Sequence, residues 1–235
     1  MKFPSLSVVF PAYNDAPSLP GLLAKTFETL QEHVADYEVI VVNDGSRDET
    51  AAVLRGLEAR YSPYVHVLTH EVNRGYGGAL RSGFAAARKE FVFYTDGDAQ
   101  YDVRELPLLL GLMGSGTGLV NGYKIQRNDP AHRVWIGVIY NFCARVLFGI
   151  RIRDVDCDFR LIRRELMLGI ALTSTSGTIC VELVRKLERT GYEVKQTPVH
   201  HFARAHGSSQ FFRMGPLMAT FGQLIGLWWR IVVLG

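Results

Sequence analysis

The segment FVFYTDGDAQ, residues 91–100, places a run of apolar and aromatic residues directly before a cluster of carboxylates. The run at 91–94 predicts a short buried strand, and Asp96 and Asp98 follow where that strand ends. Two buried carboxylates one residue apart repel each other and lose hydration, so they need a compensating partner. Mg²⁺ meets that need, because it binds one or two carboxylates together with substrate phosphates. The segment therefore predicts an Mg²⁺ or Mn²⁺ site formed by Asp96, Asp98 and the amide oxygen of Gln100.

Short apolar runs alternate with helical stretches along the first half of the chain. The predicted strands lie at residues 6–10, 38–42, 65–68, 91–94 and 119–121, with a later one at 193–199. The predicted helices lie at about residues 18–32, 49–60, 78–89 and 103–113. Ser18 and Asp48 are the candidate N-caps of the first two helices. The alternation implies right-handed βαβ units, and hence an α/β fold with a mostly parallel sheet flanked by helices.

Three polar clusters follow predicted strands. They are PAYND at 11–15, NDGS at 43–46 and DGDAQ at 96–100. Ligands of open parallel sheets bind beyond the carboxyl ends of the strands, so these clusters should share one edge and form a site. Carboxylates accept hydrogen bonds from base N–H groups and ribose hydroxyls, which makes Asp15 and Asp44 candidate nucleotide contacts. The ring of Tyr13 is a candidate for packing against a base.

The glycine-rich segment NRGYGGALRSG, residues 73–83, precedes a predicted helix and permits close backbone approach. It does not follow the first strand, so it is only a weak indication of a dinucleotide fingerprint. The chain contains no Gly-Lys-Ser/Thr sequence, which argues against a P-loop.

The second half of the chain is interpreted as acceptor-side elements of the same domain. It contains a basic loop at 121–133, an apolar helix at 134–149, the acidic and basic segment DVDCDFRLIRRE at 154–165 and a further helix at 176–191. We expect one domain in three parts, a nucleotide and metal half at 1–121, an acceptor half at 122–210 and an apolar C-terminal segment at 211–235.

Composition narrows the functional class. Apolar residues make up 48% and charged residues 21% of the chain, as in ordinary folded proteins. A net charge of +3 is too small to indicate nucleic-acid binding, although it suits an anionic substrate or lipid surface. Three cysteines without a CxxC pair, and no signal peptide, favour a reducing, cytoplasmic setting.

The apolar C-terminal segment, residues 217–234, has two interpretations. It is nearly long enough to cross a bilayer but is interrupted by Thr220, Gln223 and Arg230. Its paired tryptophans favour an amphipathic helix at a membrane interface. A helix buried on the domain is the alternative, because periodicity does not separate the two.

The ordered motifs PAYND, VVNDGSRDET, NRGYGGAL and DGDAQ resemble those of family 2 glycosyltransferases with the GT-A (Rossmann-like) fold. DVDCDFRLIRRE and VHHFARAHGSSQFF further resemble signatures of polyprenyl-phosphate sugar synthases of the dolichol-phosphate mannose synthase type. The resemblance covers nearly the whole chain. It implies transfer of a hexose from a GDP- or UDP-linked sugar to a polyprenyl phosphate, at the cytoplasmic face of a membrane.

The resemblance also implies roles for individual residues. The implied nucleotide-sugar contacts are Pro11, Tyr13, Asp15, Asn43, Asp44, Gly75, Asp96 and Lys124. The implied metal ligands are Asp96, Asp98 and Gln100. The implied acceptor-phosphate contacts are Lys124, Arg133, Arg204 and Ser208. The candidate catalytic residues are Asp98, Asp156, Asp158 and Arg204. Two positions depart from the family pattern, since Gln210 replaces a common lysine and Asp158 replaces a common glycine before Phe-Arg.

The acceptor decides which chemistry is needed. A phosphate acceptor is already anionic and requires cations and alignment for direct displacement with inversion. A hydroxyl acceptor on a small metabolite or saccharide requires a base, for which Asp156, Asp158 and Glu182 are candidates. The same acids also suit ion pairs with nearby arginines. A non-catalytic, membrane-associated module that binds nucleotide sugars is the remaining alternative.

Overall fold

A seven-stranded sheet forms the centre of the computed structural model, which describes residues 2–125, 131–204 and 214–234, with backbone alone at 131–134 and 214–218. The strands are β1 Phe3–Ala12, β2 Val34–Asn43, β3 Val65–Thr69, β4 Phe91–Tyr94, β5 Thr117–Ile125, β6 Arg160–Arg163 and β7 Glu193–His200. Their order across the sheet is β3-β2-β1-β4-β6-β5-β7.

Helices flank this sheet. They are α1 Leu19–His33, α2 Thr50–Arg60, α3 Tyr76–Ala86, α4 Leu106–Leu110, α5 Ala131–Phe148, α6 Arg164–Leu168, α7 Ile179–Glu188 and α8 Met214–Trp228. A 3₁₀ turn, Val103–Glu105, precedes α4, and a π-helical turn, Trp229–Val233, follows α8. The predicted α/β class is confirmed.

The sheet is mostly parallel, as the strand and helix alternation predicts. β1 pairs in parallel with β2 and β4, β2 with β3, and β5 with β7. The exception is β6, which lies antiparallel between β4 and β5. Sequence analysis did not assign this strand, because its four residues are half arginine and lie inside a charged segment.

Both faces of the sheet are covered. Along β1, Val8 and Phe10 pack into one core with α1, α2 and α4, while Val9 packs into the other with α3, α5, α7 and α8. Successive side chains of a strand point to opposite faces, so a strand buried on both sides needs an unbroken apolar run. That requirement explains the run LSVVFPA.

The helix starts differ slightly from the predictions. Ser18 occupies the N-cap position of α1, as predicted, but its side chain makes no capping bond there, and Pro20 in the first turn favours the helical conformation. The N-cap of α2 is Glu49, so the predicted N-cap Asp48 lies one residue too early. Asp48 Oδ1 still accepts a hydrogen bond from the backbone N–H of Thr50 at 3.0 Å. Helix α3 begins at Tyr76, two residues before the predicted start.

The C-terminal helix is amphipathic. Leu224, Leu227 and Ile231 are buried in the second core, whereas Ile225 and Trp229 are exposed by 62% and 54%. The segment is therefore docked on the domain along one face and open along the other. In the described parts of the chain, no helix combines the length and hydropathy that crossing a bilayer requires.

A buried guanidinium lies at the centre of the sheet. Arg160, the first residue of β6, has no exposed surface. Its Nε donates to Asn121 Oδ1 at 2.5 Å, and its Nη2 donates to the carbonyl of Val155 at 2.6 Å. Its Nη1 donates to Asp158 Oδ1 at 3.1 Å and to the hydroxyl of Tyr94. The side chain thus joins β4, β5 and the loop before β6.

Replacing Arg160 with methionine should lower the free energy of unfolding by about 3–5 kcal/mol, because Asp158 and Asn121 would lose their buried partner. Urea denaturation measures the change. Arg55→Met on the exposed surface of α2 is the matched control and should change stability by less than about 0.5 kcal/mol. A loss below about 1 kcal/mol for Arg160→Met would contradict this account of the network.

Candidate active site

A cavity of about 700 Å³ opens at the carboxyl edge of the sheet, where β1, β2, β4 and β5 end. Most of the residues proposed from the sequence line it. These are Pro11, Tyr13, Asp15, Asp44, Gly75, Asp96, Asp98, Gln100, Lys124, Asp156, Asp158 and Arg204. Asn43 is buried behind the wall, where its Oδ1 accepts a hydrogen bond from the backbone of Ser46. Ser208 and the side chain of Arg133 lie outside the described residues.

The loops after β1 and β2 are tied together. Asn14 has a left-handed backbone conformation, with φ of +57°, which asparagine tolerates better than most residues. Its Oδ1 accepts from the backbone N–H of Arg47 at 2.8 Å, and its own N–H donates to Ser46 Oγ at 3.0 Å. These bonds place Asp15, whose Oδ2 accepts from the N–H of Tyr13, on the cavity wall.

Asp44 is held by the segment that follows β3. Its carboxylate is nearly fully buried, and Oδ1 accepts from the backbone N–H of Arg74 at 2.8 Å. The same oxygen lies 2.6 Å from Nδ1 of His70, whose Nε2 lies 2.9 Å from Ser82 Oγ. Asn73 donates to the carbonyl of Asp44 at 3.0 Å. Sequence analysis missed His70, although its position just after a predicted strand was an available signal.

The glycine-rich segment makes its close approach to the protein's own backbone. A Cβ on Gly75, which has φ of +79°, would lie 2.4 Å from the carbonyl oxygen of Thr175. A Cβ on Gly77 would lie 2.4 Å from that of Ser174, and the Gly77 N–H donates to Thr175 O at 2.9 Å. The intervening Tyr76 is thereby directed to Asp96, whose Oδ1 accepts from its hydroxyl at 2.7 Å.

Carboxylates crowd the centre of the cavity. Burial raises the pKa of Asp96 well above its ordinary value, and the neighbouring charges of Asp158 and Asp98 raise it further. Burial also raises the pKa of Asp15 to about 6, with Asp98 adding to the shift. Arg204 is the opposing cation, and its Nη2 donates to Asp98 Oδ2 at 2.5 Å. The site therefore concentrates negative charge that favours cations.

The turn after β4 carries the three residues predicted to bind a metal ion. Ala99 has φ of +60°, an uncommon conformation for a residue with a side chain, and strain of this kind often marks functional sites. It separates Asp98 from Gln100, whose Nε2 donates to the carbonyl of Phe202 at 3.0 Å. Asp96, Asp98 and the Gln100 amide oxygen are hard donors that fit Mg²⁺ or Mn²⁺.

Protein side chains alone do not complete such a centre. Among the described residues, no three carboxylate, imidazole or thiolate side chains converge closely enough to hold a metal ion. Mg²⁺ sites that act on phosphates often have only one or two carboxylates, with phosphate oxygens and water supplying the rest. The donor set therefore fits a cation that arrives with a diphosphate.

The acids of the 154–158 loop have ion-pair partners. Lys124 Nζ lies 3.1 Å from Asp156 Oδ2 and 3.9 Å from the carboxylate of Asp154. The side chain of Asp156 is 45% exposed and lines the cavity, whereas Asp158 pairs with the buried Arg160. Only Asp156 among these acids combines exposure with a place on the cavity wall.

Glu182 is not positioned to act as a base. It has no exposed surface and is absent from the cavity wall. Its carboxylate accepts from the backbone N–H groups of Thr173 and Ser174 and pairs with Lys186 at 2.7 Å. The sequence-based assignment of Glu182 as a candidate base is therefore wrong, because these bonds occupy both of its oxygens.

The mostly parallel seven-stranded sheet flanked by helices is an α/β fold of the GT-A type. Residues 7–169 match the family model described as Glycosyl transferase family 2, and the chain belongs to that family. This finding confirms the family resemblance identified from the sequence motifs.

Two curated relatives that share one name are similar to this chain over most of its length. The chain is 32% identical over 212 residues to undecaprenyl-phosphate 4-deoxy-4-formamido-L-arabinose transferase of Pseudomonas fluorescens, with 89% of this chain and 61% of the relative covered. The enzyme of the same name from Pseudomonas aeruginosa is 30% identical over 216 residues, with 92% and 63% covered. The chain thus spans about three fifths of the length of these relatives.

Solved structures share the fold. Glucosyl-3-phosphoglycerate synthase of Mycobacterium tuberculosis, in complex with phosphoglyceric acid, superposes with a TM-score of 0.73 at 22% identity, covering 96% of this chain and 79% of that one. Its complex with Mn²⁺, uridine diphosphate and glucosyl-3-phosphoglycerate gives 0.72 at 21% identity, with the same coverage. At this identity the likeness is one of fold.

Asp15→Asn should stabilise the ligand-free protein at neutral pH. A carboxyl whose pKa is raised on folding contributes stability that is fully present below its unfolded pKa and is lost as pH rises through its folded pKa, here about 6. The variant should therefore exceed wild type by up to about 3 kcal/mol above pH 7, and the difference should vanish below about pH 4.

Thermal and urea denaturation in EDTA between pH 4 and 8 measure this difference. Asn retains an oxygen for the Tyr13 N–H, so local geometry is preserved. Glu49→Gln, which removes an exposed carboxylate near the start of α2, controls for the loss of one charge. A pH-independent difference between Asp15→Asn and wild type would contradict the prediction.

Proposed function

We propose that this protein is a metal-dependent, inverting glycosyltransferase that moves a hexose from a GDP- or UDP-linked donor to a polyprenyl phosphate. The observation that carries the proposal is that three sets of side chains line one cavity. They are the candidate nucleotide contacts Asp15 and Asp44, the neighbouring acids Asp96 and Asp98, and the cations Lys124 and Arg204. The relatives' names specify undecaprenyl phosphate, which supports the acceptor class. We further propose that residues 1–235 form one domain, because β6 of the acceptor half pairs with β4 of the nucleotide half and with β5, which lies where the two halves meet.

In this proposal, the nucleotide of the donor binds at the carboxyl ends of β1 and β2. Tyr13, Asp15 and Asp44 line the cavity where a base and ribose would hydrogen-bond and pack. The diphosphate would then reach the acid pair Asp96 and Asp98. A divalent cation held there would neutralise charge on the leaving diphosphate. The raised pKa of Asp96 supports this placement, because a cation would offset both the burial and the neighbouring negative charges that raise it.

In this proposal, positively charged side chains bind the acceptor phosphate, and no general base is needed. Lys124 and Arg204 both line the cavity, and each also contacts an acid there. An acceptor phosphate oxygen would attack the anomeric carbon from the face opposite the diphosphate. The new carbon–oxygen bond would form as the bond to the diphosphate breaks, which inverts the centre. The lysine and arginine would hold the acceptor oxygen in line.

Asp156 keeps a second acceptor class open. Its half-exposed carboxylate on the cavity wall could remove a proton from a hydroxyl acceptor such as a saccharide. Dependence on added lipid separates this alternative from the leading proposal, and binding without turnover would indicate a nucleotide-sugar-binding module.

An apolar face beside the cavity supports a lipid acceptor. Helix α5 exposes Trp135, Ile139, Phe142 and Val146, which recur at helical spacing on one side. Helix α8, whose Phe221 ring lies 6.5 Å from the Tyr140 ring of α5, exposes Ile225, and the π-helical turn that follows it exposes Trp229. Both helices also reach the cavity, through Gly137 and Gln223. We propose that this face docks on the cytoplasmic surface of a membrane.

Nucleotide release should depend on the lipid acceptor. The assay follows GDP and UDP release in Mn²⁺ across a nucleotide-sugar panel, with and without undecaprenyl phosphate. Asp98→Ala should lower release at least about 100-fold, because the metal and its charge neutralisation are lost. Asp36→Ala, at an exposed carboxylate outside the cavity, is the control. Full activity of Asp98→Ala, or release indifferent to lipid, would refute the leading proposal.

Charge placed on the apolar face should release the protein from vesicles. The double variant Ile139→Asp, Phe142→Asp should bind phosphatidylglycerol vesicles at least about tenfold more weakly. The reason is that burying each of these apolar side chains in the membrane would stabilise the bound state by roughly 1.5–3 kcal/mol. Flotation or co-sedimentation measures binding. Leu108→Asp, an exposed leucine on α4, is the matched control and should bind normally. Unchanged vesicle binding by the double variant would rule out this docking face.

A further inference from the structure

The loop between α6 and α7 forms part of the cavity wall, although no sequence motif assigned it a role. Thr175, Ser176 and Gly177 all line the cavity. They precede α7, and Cys180 in the first turn of that helix lines the cavity as well. A hydroxyl-bearing segment thus faces the space that also contains the acid cluster.

The loop and the first turn of α7 are linked to acids of the cavity at two points, once through intermediate residues and once directly. At one end, Thr175 accepts from Gly77, which directs the adjacent Tyr76 to Asp96. At the other end, Cys180 Sγ donates to Asp158 Oδ1 at 3.0 Å. With a diphosphate at Asp96, the next group along a nucleotide-sugar donor is the sugar ring. The loop therefore lies beside the position that the ring would occupy.

The chemistry of the loop suits sugar substituents. The hydroxyls of Thr175 and Ser176 can each donate and accept, as sugar hydroxyl and amide groups require. Ser176 Oγ also lies 3.0 Å from Thr178 Oγ1, a contact that fixes its orientation. When a bound sugar removes water from these hydroxyls, a sugar that lacks the matching group leaves one of them unpaired, and the site discriminates against that sugar.

Glu182, which does not line the cavity, holds the loop in position through hydrogen bonds to its backbone. Its carboxylate accepts from Ser174 N at 2.8 Å and from Thr173 N at 3.1 Å. Lys186, one turn further along α7, pairs with the same carboxylate and donates to the carbonyl of Ala171. Burial alone would raise the pKa of Glu182, but Lys186 and the Ser174 N–H together lower it, so the anchor stays ionised. Glu182 acts on the loop without touching the cavity.

We propose that the loop at 173–178 recognises the polar substituents of the transferred sugar, with Ser176 and Thr175 as contacts and Glu182 as the positioning residue. This inference rests on the proposed function and deepens it. It assigns sugar selectivity to the α6–α7 connection, and base recognition to the separate loops that follow β1 and β2.

Binding measurements test the inference without requiring turnover. Isothermal titration in Mn²⁺ gives the dissociation constants of UDP-glucose, UDP-galactose, UDP-N-acetylglucosamine and GDP-mannose, together with those of UDP and GDP. Ser176→Ala should weaken the best nucleotide sugar about 5- to 10-fold and change UDP or GDP binding less than twofold. Both Ser176→Ala and Glu182→Gln should also change the order of affinities among the four nucleotide sugars.

Two control variants separate recognition from general damage. Ser115→Ala removes an exposed hydroxyl outside the cavity, and Glu188→Gln neutralises another acid on α7. Both should match wild type in every affinity. Equal weakening of nucleotide sugars and of UDP or GDP by Ser176→Ala and Glu182→Gln would overturn the inference, as would an unchanged sugar ranking in both.

Failure of the proposed function gives a different pattern. If wild type binds a nucleotide sugar and the loop variants alter its selectivity, but no sugar reaches undecaprenyl phosphate, the loop assignment stands and the proposed acceptor is wrong. If wild type binds no nucleotide sugar, both the loop assignment and the proposed function are overturned.

Discussion

The buried guanidinium of Arg160 is the interaction on which the rest of the structure depends. It lies at the first residue of the one antiparallel strand and bonds to Asn121 on β5, Tyr94 on β4 and the loop before β6. A charge without exposed surface is tolerated only when its hydrogen-bonding groups have partners. Those partners come from both halves of the chain and include Asp158 on the cavity wall, so the guanidinium joins the sheet to the floor of the cavity. Arg160 also supplies the countercharge for Asp158.

Above that floor, the cavity gathers like charges that folding alone would not favour. Asp15 and Asp96 both have raised pKa values, primarily because burial opposes their ionisation. Arg204 offsets part of this charge through its contact with Asp98, and Lys124 does so through Asp156. Perturbed carboxylates in a cleft are a common mark of functional sites. Local stability is thus given up where an anionic ligand and a cation would restore it.

The C-terminal helix connects the cavity with the apolar surface. Helix α8 lines the cavity through Thr220 and Gln223 while exposing Ile225 on its outer side. Arg230, which follows it, donates to Thr173 Oγ1 at 3.2 Å, at the start of the loop between α6 and α7. The C-terminal segment therefore contributes to the surface proposed to bind lipid and also contacts the loop proposed to recognise the sugar.

The sequence by itself determined the α/β alternation and the edge of the sheet at which Asp15, Asp44 and Asp96 meet. These features follow from local periodicity and from the common direction of parallel strands, so no knowledge of distant contacts was needed. Only the tertiary structure decided that a strand begins at Arg160 and that Glu182 anchors a loop. Both depend on partners far apart in the chain, and a short charged segment gives no local signal of which neighbours will bury it.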